Sequence, residues 1–429
     1  MSYPTLPNDT RKKLDQLRDY ATLQHEYGAT GIQEQLDAVT AQIDAALAAV
    51  QALPIDAPLK AKEPDDLEAI HALRTPGPRA MAPLSEAAYR EKLEGAMLSR
   101  FAGCTLGAIV EFWSVDAMRD WAAAIGDSFP PTDYWSKITN PIALRYQLSP
   151  CSAYTRGGMD GVPVDDDIAY TLLGLLIAED YGLDFTTDDV GEAWKKYLPY
   201  ACTAEEVALD NLRAGVPALL AAEKNNPYIQ WIGADIRSDP FAYLAPAQPE
   251  KAAAMAYRDA YVSHRRNGIY GEMFFAAAQA AAFAAKDSME ALRIALTEIP
   301  RECTLYGDVV WALETAPSIH DYIEARAAVE DRFAGMSGVH TNLNACLTIF
   351  GLSIGGNDVT RVISETVAMG YDNDCTAATA GSIVGAIVGK AGVPEHWYRD
   401  FNNTVHSYLI DRPLFHIDDL IDRFTKLAL

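Results

Sequence analysis

The sequence predicts an all-α protein, and three observations carry that expectation. From Tyr89 to Leu429 no segment alternates apolar and polar residues over the length of a strand, whereas helical patterns recur. The apolar content is rich in alanine and poor in β-branched runs, which favours helix. No fixed-period repeat is visible, so the helices are expected in a globular domain and not in a solenoid.

Taken in order, residues 9–52 read as one or two helices, with Asp9 or Thr10 as the N-cap and Gly28–Gly31 as the break. Residues 53–83 contain Pro54, Pro58, Pro64, Pro76, Pro78 and Pro83, and read as a linker or irregular arm. Ser85-Glu86 opens the main pattern. A helical arm with a Pro-rich linker is therefore expected over 1–84 and a main domain over 85–429. Helices are expected at 86–109, 166–181, 189–197, 203–224, 250–264, 270–286, 287–298, 302–315, 319–334, 341–352, 357–369, 374–391 and 394–408.

The chain has 429 residues and a formal net charge of −24. Such a surface repels nucleic acid phosphates and anionic lipid, so neither is an expected partner. The six cysteines show no close pairing and read as reduced thiols of a cytoplasmic protein. The N-terminus lacks a basic-then-apolar leader pattern. The most apolar stretch, Met273 to Ala285, is too short to cross a bilayer and reads as a core helix. The N-terminal arm is a candidate for homo-oligomer contacts.

Two acidic clusters hold the chemical signal. The first is Asp165-Asp166-Asp167 and the second Asp372-Asn373-Asp374-Cys375, each followed at once by an apolar helical stretch. Hard oxygen donors of this kind suit Mg²⁺, Mn²⁺ or Ca²⁺, as one ion or two. If the clusters converge, they make a metal site; if they do not, they are helix caps. Gly381, Gly385 and Gly389 fall four apart and imply close backbone packing behind the second cluster. Glu111 follows a small-residue helix and reads either as a general base or substrate orienter, or as a partly exposed residue with a basic partner. At the helix start after Val339, Thr341 or Asn342 reads as a cap, or else His340 and Asn342 read as contacts to a base or leaving group.

Together these segments resemble the ADP-ribosylglycohydrolase family, which includes the glycohydrolase that reactivates dinitrogenase reductase. The resemblance spans roughly residues 90–405. It rests on Gly103, Gly107 and Glu111, on Asp165-Asp166-Asp167-Ile168, and on Gly370-Tyr371-Asp372-Asn373-Asp374-Cys375-Thr376. It implies an orthogonal multi-helix bundle, a centre of two Mg²⁺ ions (or Mn²⁺) held by Asp165, Asp166, Asp167, Asp372, Asp374 and Cys375, and hydrolysis of an N- or O-glycosidic bond to ribose. Glu111, Asp166 and Asp372 are then the expected catalytic residues. Asn267, Gly268, Tyr270 and Gly271, with His340, Asn342 and Tyr371, are the expected substrate contacts. The chain departs from the family at Asp165, Ile168 and Cys375, which stand where hydroxyl residues are usual. It also carries Phe274 where ligand-binding members have Arg, beside Glu272. Its Asn-Gly-Ile-Tyr-Gly-Glu-Met-Phe segment looks closer to a bacterial subgroup whose substrates are smaller glycosides than ADP-ribosyl adducts. The alternative is a non-catalytic ligand- or metal-binding protein that keeps the fold.

Overall fold

The computed structural model describes residues 3–4 and 9–429. Two compact units emerge, one ending at Ala61 and the other running Lys62–Leu429.

The first unit is built on a helical hairpin. Thr10–Glu26 and Ile32–Gln51 are joined across Gly28 and Gly31, both at positive φ as a tight reversal between helices requires. Asp9 stands at the N-cap position but makes no capping bond; its carboxylate pairs with Lys13 at 2.5 Å. No residue of either helix is buried.

The second unit is almost wholly helical, as the composition predicts. Asn267–Ala282 lies at its centre and is buried along its entire length. Pro249–Ala260, Ser288–Ala295, Thr341–Gly355 and Asn373–Val388 surround it. The most extensive helix pair joins Glu86–Ala108 to Asn373–Val388. Small residues allow that closeness. A Cβ on Gly107 would sit 2.5 Å from the Asp374 Cα, and one on Gly381 would strike the Ser99 carbonyl. Gly389 ends the helix at φ +69°, and its backbone still lies close enough that a Cβ on Gly95 would sit 2.5 Å from it. Ser85 caps Glu86–Ala108 by accepting from the Ala88 N–H at 3.3 Å. The pair matters for function because it fixes the end of Glu86–Ala108 against the start of Asn373–Val388.

Residues 62–84 belong to this unit. Arg74 pairs with Glu298 (2.5 Å) and Glu250 (2.9 Å), and the Met81 N–H donates to the Ala247 carbonyl.

Some expected elements differ. The single helix expected over 203–224 is Thr203–Arg213 followed by the short Ala218–Ala221, because Gly215-Val216-Pro217 interrupts it with Gly215 at φ +84°. The helix expected over 394–408 is absent. Short 3₁₀ turns at Glu395–Trp397 and Arg399–Phe401 lead instead into strand Thr404–His406, which pairs antiparallel with Leu414–His416. Another small hairpin pairs Leu144–Arg145 with Ser149–Pro150. Helices Leu67–Leu73, Val115–Ile125 and Ile417–Ala428 were not anticipated. Among the described residues no helix is long and apolar enough to cross a membrane.

Candidate metal centre and its cavity

The two acidic clusters meet. One Arg145 guanidinium nitrogen touches Asp165 Oδ2 at 3.1 Å and Asp374 Oδ2 at 3.3 Å. The Cys375 thiol donates to Asp167 Oδ2 at 3.1 Å. Segments some two hundred positions apart in the chain therefore share one site.

Local structure explains how each group is held. Asp165 is the N-cap of Asp166–Tyr181 and accepts from the Asp167 N–H at 3.2 Å, which leaves its second oxygen for Arg145. Asp372 stands at the start of Asn373–Val388 but makes no cap bond, so its carboxylate is not committed to the backbone. Gly370 (φ +71°) and Tyr371 (φ +62°) turn the chain into that position. Glu111 follows the Glu86–Ala108 helix by three residues. The next residue, Phe112, donates its N–H to the Tyr371 carbonyl at 3.0 Å, tying the two loops together.

A cavity of about 400 Å³ opens on this centre. Glu111, Asp166, Asp372, Asp374 and Cys375 line one part of it, and Arg145 and Tyr146 reach in from the small hairpin. Tyr170, Thr203, Glu205 and Trp231 contribute elsewhere on the wall. Asp165 and Asp167 are fully buried and do not line it. The Tyr146 hydroxyl donates to Asp166 Oδ1 at 2.6 Å.

Electrostatics show the strain of packing these acids together. Burial, opposed by Arg145, pushes the Glu111 carboxyl up to about 7. Burial and the neighbouring Glu111 do the same to Asp374, also to about 7. Asp165, Asp167 and Asp372 are raised well above the usual carboxylate range, burial being the first cause in each. Buried oxygens at Asp167 Oδ1, Asp372 Oδ1 and Asp374 Oδ1 accept no hydrogen bond. A buried acceptor left unpaired is costly, and a cation relieves it. Candidate ligand atoms of Asp372, Asp374 and Cys375 lie within 4.8 Å of one another, as do those of Cys104, Asp165 and Asp167. The donor set thus fits a divalent cation.

Glu111 has a basic partner in Arg145 (3.1 Å), its side chain is 27% exposed, and it lines the cavity. The expected substrate contacts stand elsewhere. None of Asn267, Gly268, Tyr270, Gly271, His340, Asn342 or Tyr371 lines this cavity. Asn267 bonds Gln230 and the Leu305 N–H. The Tyr270 hydroxyl donates to the Pro64 carbonyl at 2.5 Å, and Asn342 donates to Asp308 at 2.8 Å. Gly268 backs onto the Ile229 carbonyl, and Gly271 packs on Asp235 and Thr341. His340 caps its helix by accepting from the Asn342 N–H at 3.2 Å, and burial lowers its imidazole to about 4. The Tyr371 ring lies under the Arg326 guanidinium, 3.6 Å away. Phe274 and Glu272 are buried in the core, and Glu272 pairs with Arg237 at 3.4 Å.

Sequence reasoning missed Arg145, Tyr146, Cys104 and Glu205. Cys104 lies on the same helix as Gly103, and its sulfur stands within 4.8 Å of carboxylate oxygens of Asp165 and Asp167. Its place beside the glycines was the available signal. Glu205 is one of three carboxylates around the buried Arg237, with Asp259 and Glu272.

Among curated proteins none matches this chain. A solved structure described as an ADP-ribosylglycohydrolase-related protein complex is similar in fold, with a TM-score of 0.51 and 18% identity, covering 80% of this chain and 98% of that one. Residues 85–427 match the ADP-ribosylglycohydrolase family. With that match over most of its length, the chain belongs to the ADP-ribosylglycohydrolase family and is a hydrolase of glycosidic bonds.

Proposed function

We propose that this chain is a metal-dependent glycosidase that cleaves the bond between a ribose C1 and a small leaving group. The convergence of the 165–167 and 372–374 carboxylates at one cavity carries this reading. Asp166, Asp372 and Asp374, backed by Asp165 and Asp167, are the groups that would hold the cation. When bound, the metal supplies Lewis-acid polarisation to sugar hydroxyls and water.

The chain's own residues do the rest. Glu111 faces the cavity with a carboxyl raised to about 7, so near neutral pH it can hold a proton or take one. Carboxylates around the reacting carbon favour the positive charge that develops as a glycosidic bond breaks. Tyr146 fixes Asp166 by its hydroxyl. The Cys375 thiol serves as a donor that orients Asp167.

The lining also speaks to substrate size. Its one guanidinium, Arg145, is already paired with three carboxylates. No unpaired cation on the lining is left for a diphosphate, while Phe112, Tyr170 and Trp231 offer aromatic surface to a base. Small N- or O-ribosides therefore fit better than ADP-ribosyl adducts, the second reading, which the family favours. The test is a release assay with Mn²⁺, offering nucleosides, ADP-ribose conjugates and ADP-ribosylated protein. Free ribose from nucleoside-like substrates, lost with chelator, is the expected result. Release from ADP-ribosylated substrates alone, or release indifferent to chelator, contradicts it.

A pH dependence follows. Asp374 is raised to about 7, so below that pH a cation must displace its proton. Mn²⁺ affinity should fall as pH drops from about 8 to about 6, with proton release detectable by calorimetry in buffers of different ionisation enthalpy. An affinity flat across that range contradicts the assignment.

A further inference from the structure

We propose that the Arg145 guanidinium is a built-in cation of the acidic centre, standing where a second metal ion would otherwise bind, so that the chain takes a single divalent ion. The inference rests on the metal-site reading above and specifies its stoichiometry.

The guanidinium has the surroundings of a coordinated ion. One terminal nitrogen meets Glu111 Oε2 at 3.1 Å and the Ala108 carbonyl. The other meets Asp165 Oδ2 at 3.1 Å and Asp374 Oδ2 at 3.3 Å. Four oxygens from three separate segments thus converge on one side chain that is 18% exposed. Oxygens from separate segments converging on one charge are also what a hard metal ion gathers. Arginine stays charged at any pH the fold survives, and its planar fork matches carboxylates in a way a lysine cannot.

Its carrier holds it there. Arg145 lies in the small hairpin opposite Ser149, and the next two residues, Tyr146 and Gln147, turn at φ +51° and +58°. The guanidinium packs over the Tyr146 and Tyr154 rings at 5.4 and 5.7 Å. The Tyr146 hydroxyl anchors the hairpin to Asp166.

What remains accounts for one ion: in the Cys104, Asp165 and Asp167 group, Asp167 Oδ1 lies 3.6 Å from the buried Arg100 guanidinium, and Asp165 gives one oxygen to the Asp167 N–H and the other to Arg145. Asp372 Oδ1 and Asp374 Oδ1 are buried without a hydrogen-bond donor, on residues whose ligand atoms cluster within 4.8 Å together with Cys375. Arg145 uses the opposite oxygen of Asp374, Oδ2. Asp374 therefore offers one oxygen to the arginine and one to a metal. A second dication on the Oδ2 side would meet a fixed positive charge at contact distance.

The test counts metal on the full-length protein. Metal-depleted wild type, Arg145→Lys and Arg145→Gln are titrated with Mn²⁺, bound ions are counted, and electron paramagnetic resonance distinguishes isolated from coupled Mn²⁺. The expected result is one isolated Mn²⁺ per chain in wild type and Arg145→Lys, rising to two, with a coupled signal, in Arg145→Gln. Two coupled ions in wild type overturn the proposal and leave the metal-site reading standing. One ion in Arg145→Gln also overturns it. No Mn²⁺ bound to wild type sinks both. Should Arg145→Gln fail to fold, the wild-type count and spectrum still decide.

Discussion

Asp372→Asn lowers turnover sharply and yet makes the metal-free protein more stable. The carboxylate is 5% exposed, and Asp374 and Glu111 press their charge upon it. A neutral amide of nearly the same shape removes that repulsion without opening a cavity. The same change removes an oxygen that nothing in the fold satisfies. Loss of a group that fixes charge at the reacting centre lowers kcat on the order of 10³-fold. Two measurements check this together. Wild type should gain thermal stability from Mn²⁺, by about 2.7 kcal/mol at a hundredfold excess over Kd. Asp372→Asn should melt higher than wild type without metal and gain little from Mn²⁺. Turnover equal to wild type would defeat the assignment of Asp372.

Arg237→Met has the largest expected effect on stability. Arg237 is buried and holds Glu205 (2.5 Å), Asp259 (2.5 Å) and Glu272 (3.4 Å), while its guanidinium packs over Trp194 and Tyr170. Methionine keeps much of the packing and none of the charge, leaving three buried acids without a counter-ion. Breaking a buried ion network from one side costs about 3–5 kcal/mol. The sign of the pH effect follows from Glu205, which burial raises to about 7 even with Arg237 present. A raised carboxyl contributes favourably below its unfolded pKa, and that contribution is lost as pH rises through the folded value. Without the arginine the acids accept protons more readily, so the loss should be larger near pH 8 than near pH 5.5. Urea denaturation at both pH values measures it. A loss that is small, or equal at both pH values, contradicts this account of the cluster.

The helices were legible where the signal was local. Ser85 before Glu86, Asp165 before Asp166 and Asp358 before Val359 all act as caps in the structure, and each precedes an apolar pattern of helical period. The failure at 394–408 has a physical cause. Trp397, Phe401 and Val405 are buried and fall four apart, the spacing of a helical face. Asn402 and Asn403 nevertheless adopt φ +47° and +54°, and the chain turns into a strand. Periodicity alone does not separate these outcomes.

The same contrast divides the site. The acidic clusters could be read because each lies within a few residues at a helix start. Arg145 could not, because its meaning depends on Glu111, Asp165 and Asp374, all distant in sequence. Asn267 and Tyr270 read as ligand contacts, and Asn342 as a ligand contact or a helix cap. Buried polar groups need partners, and theirs turned out to be Gln230, the Pro64 carbonyl and Asp308.

The most direct test is a crystal grown with Mn²⁺ and measured at the manganese edge. The account predicts an anomalous peak bonded to Asp372 and Asp374 at the cavity, with Arg145 still on Glu111 and Asp165. Well-ordered crystals at saturating Mn²⁺ with no peak among these carboxylates, or with the metal only at surface acids, would contradict it.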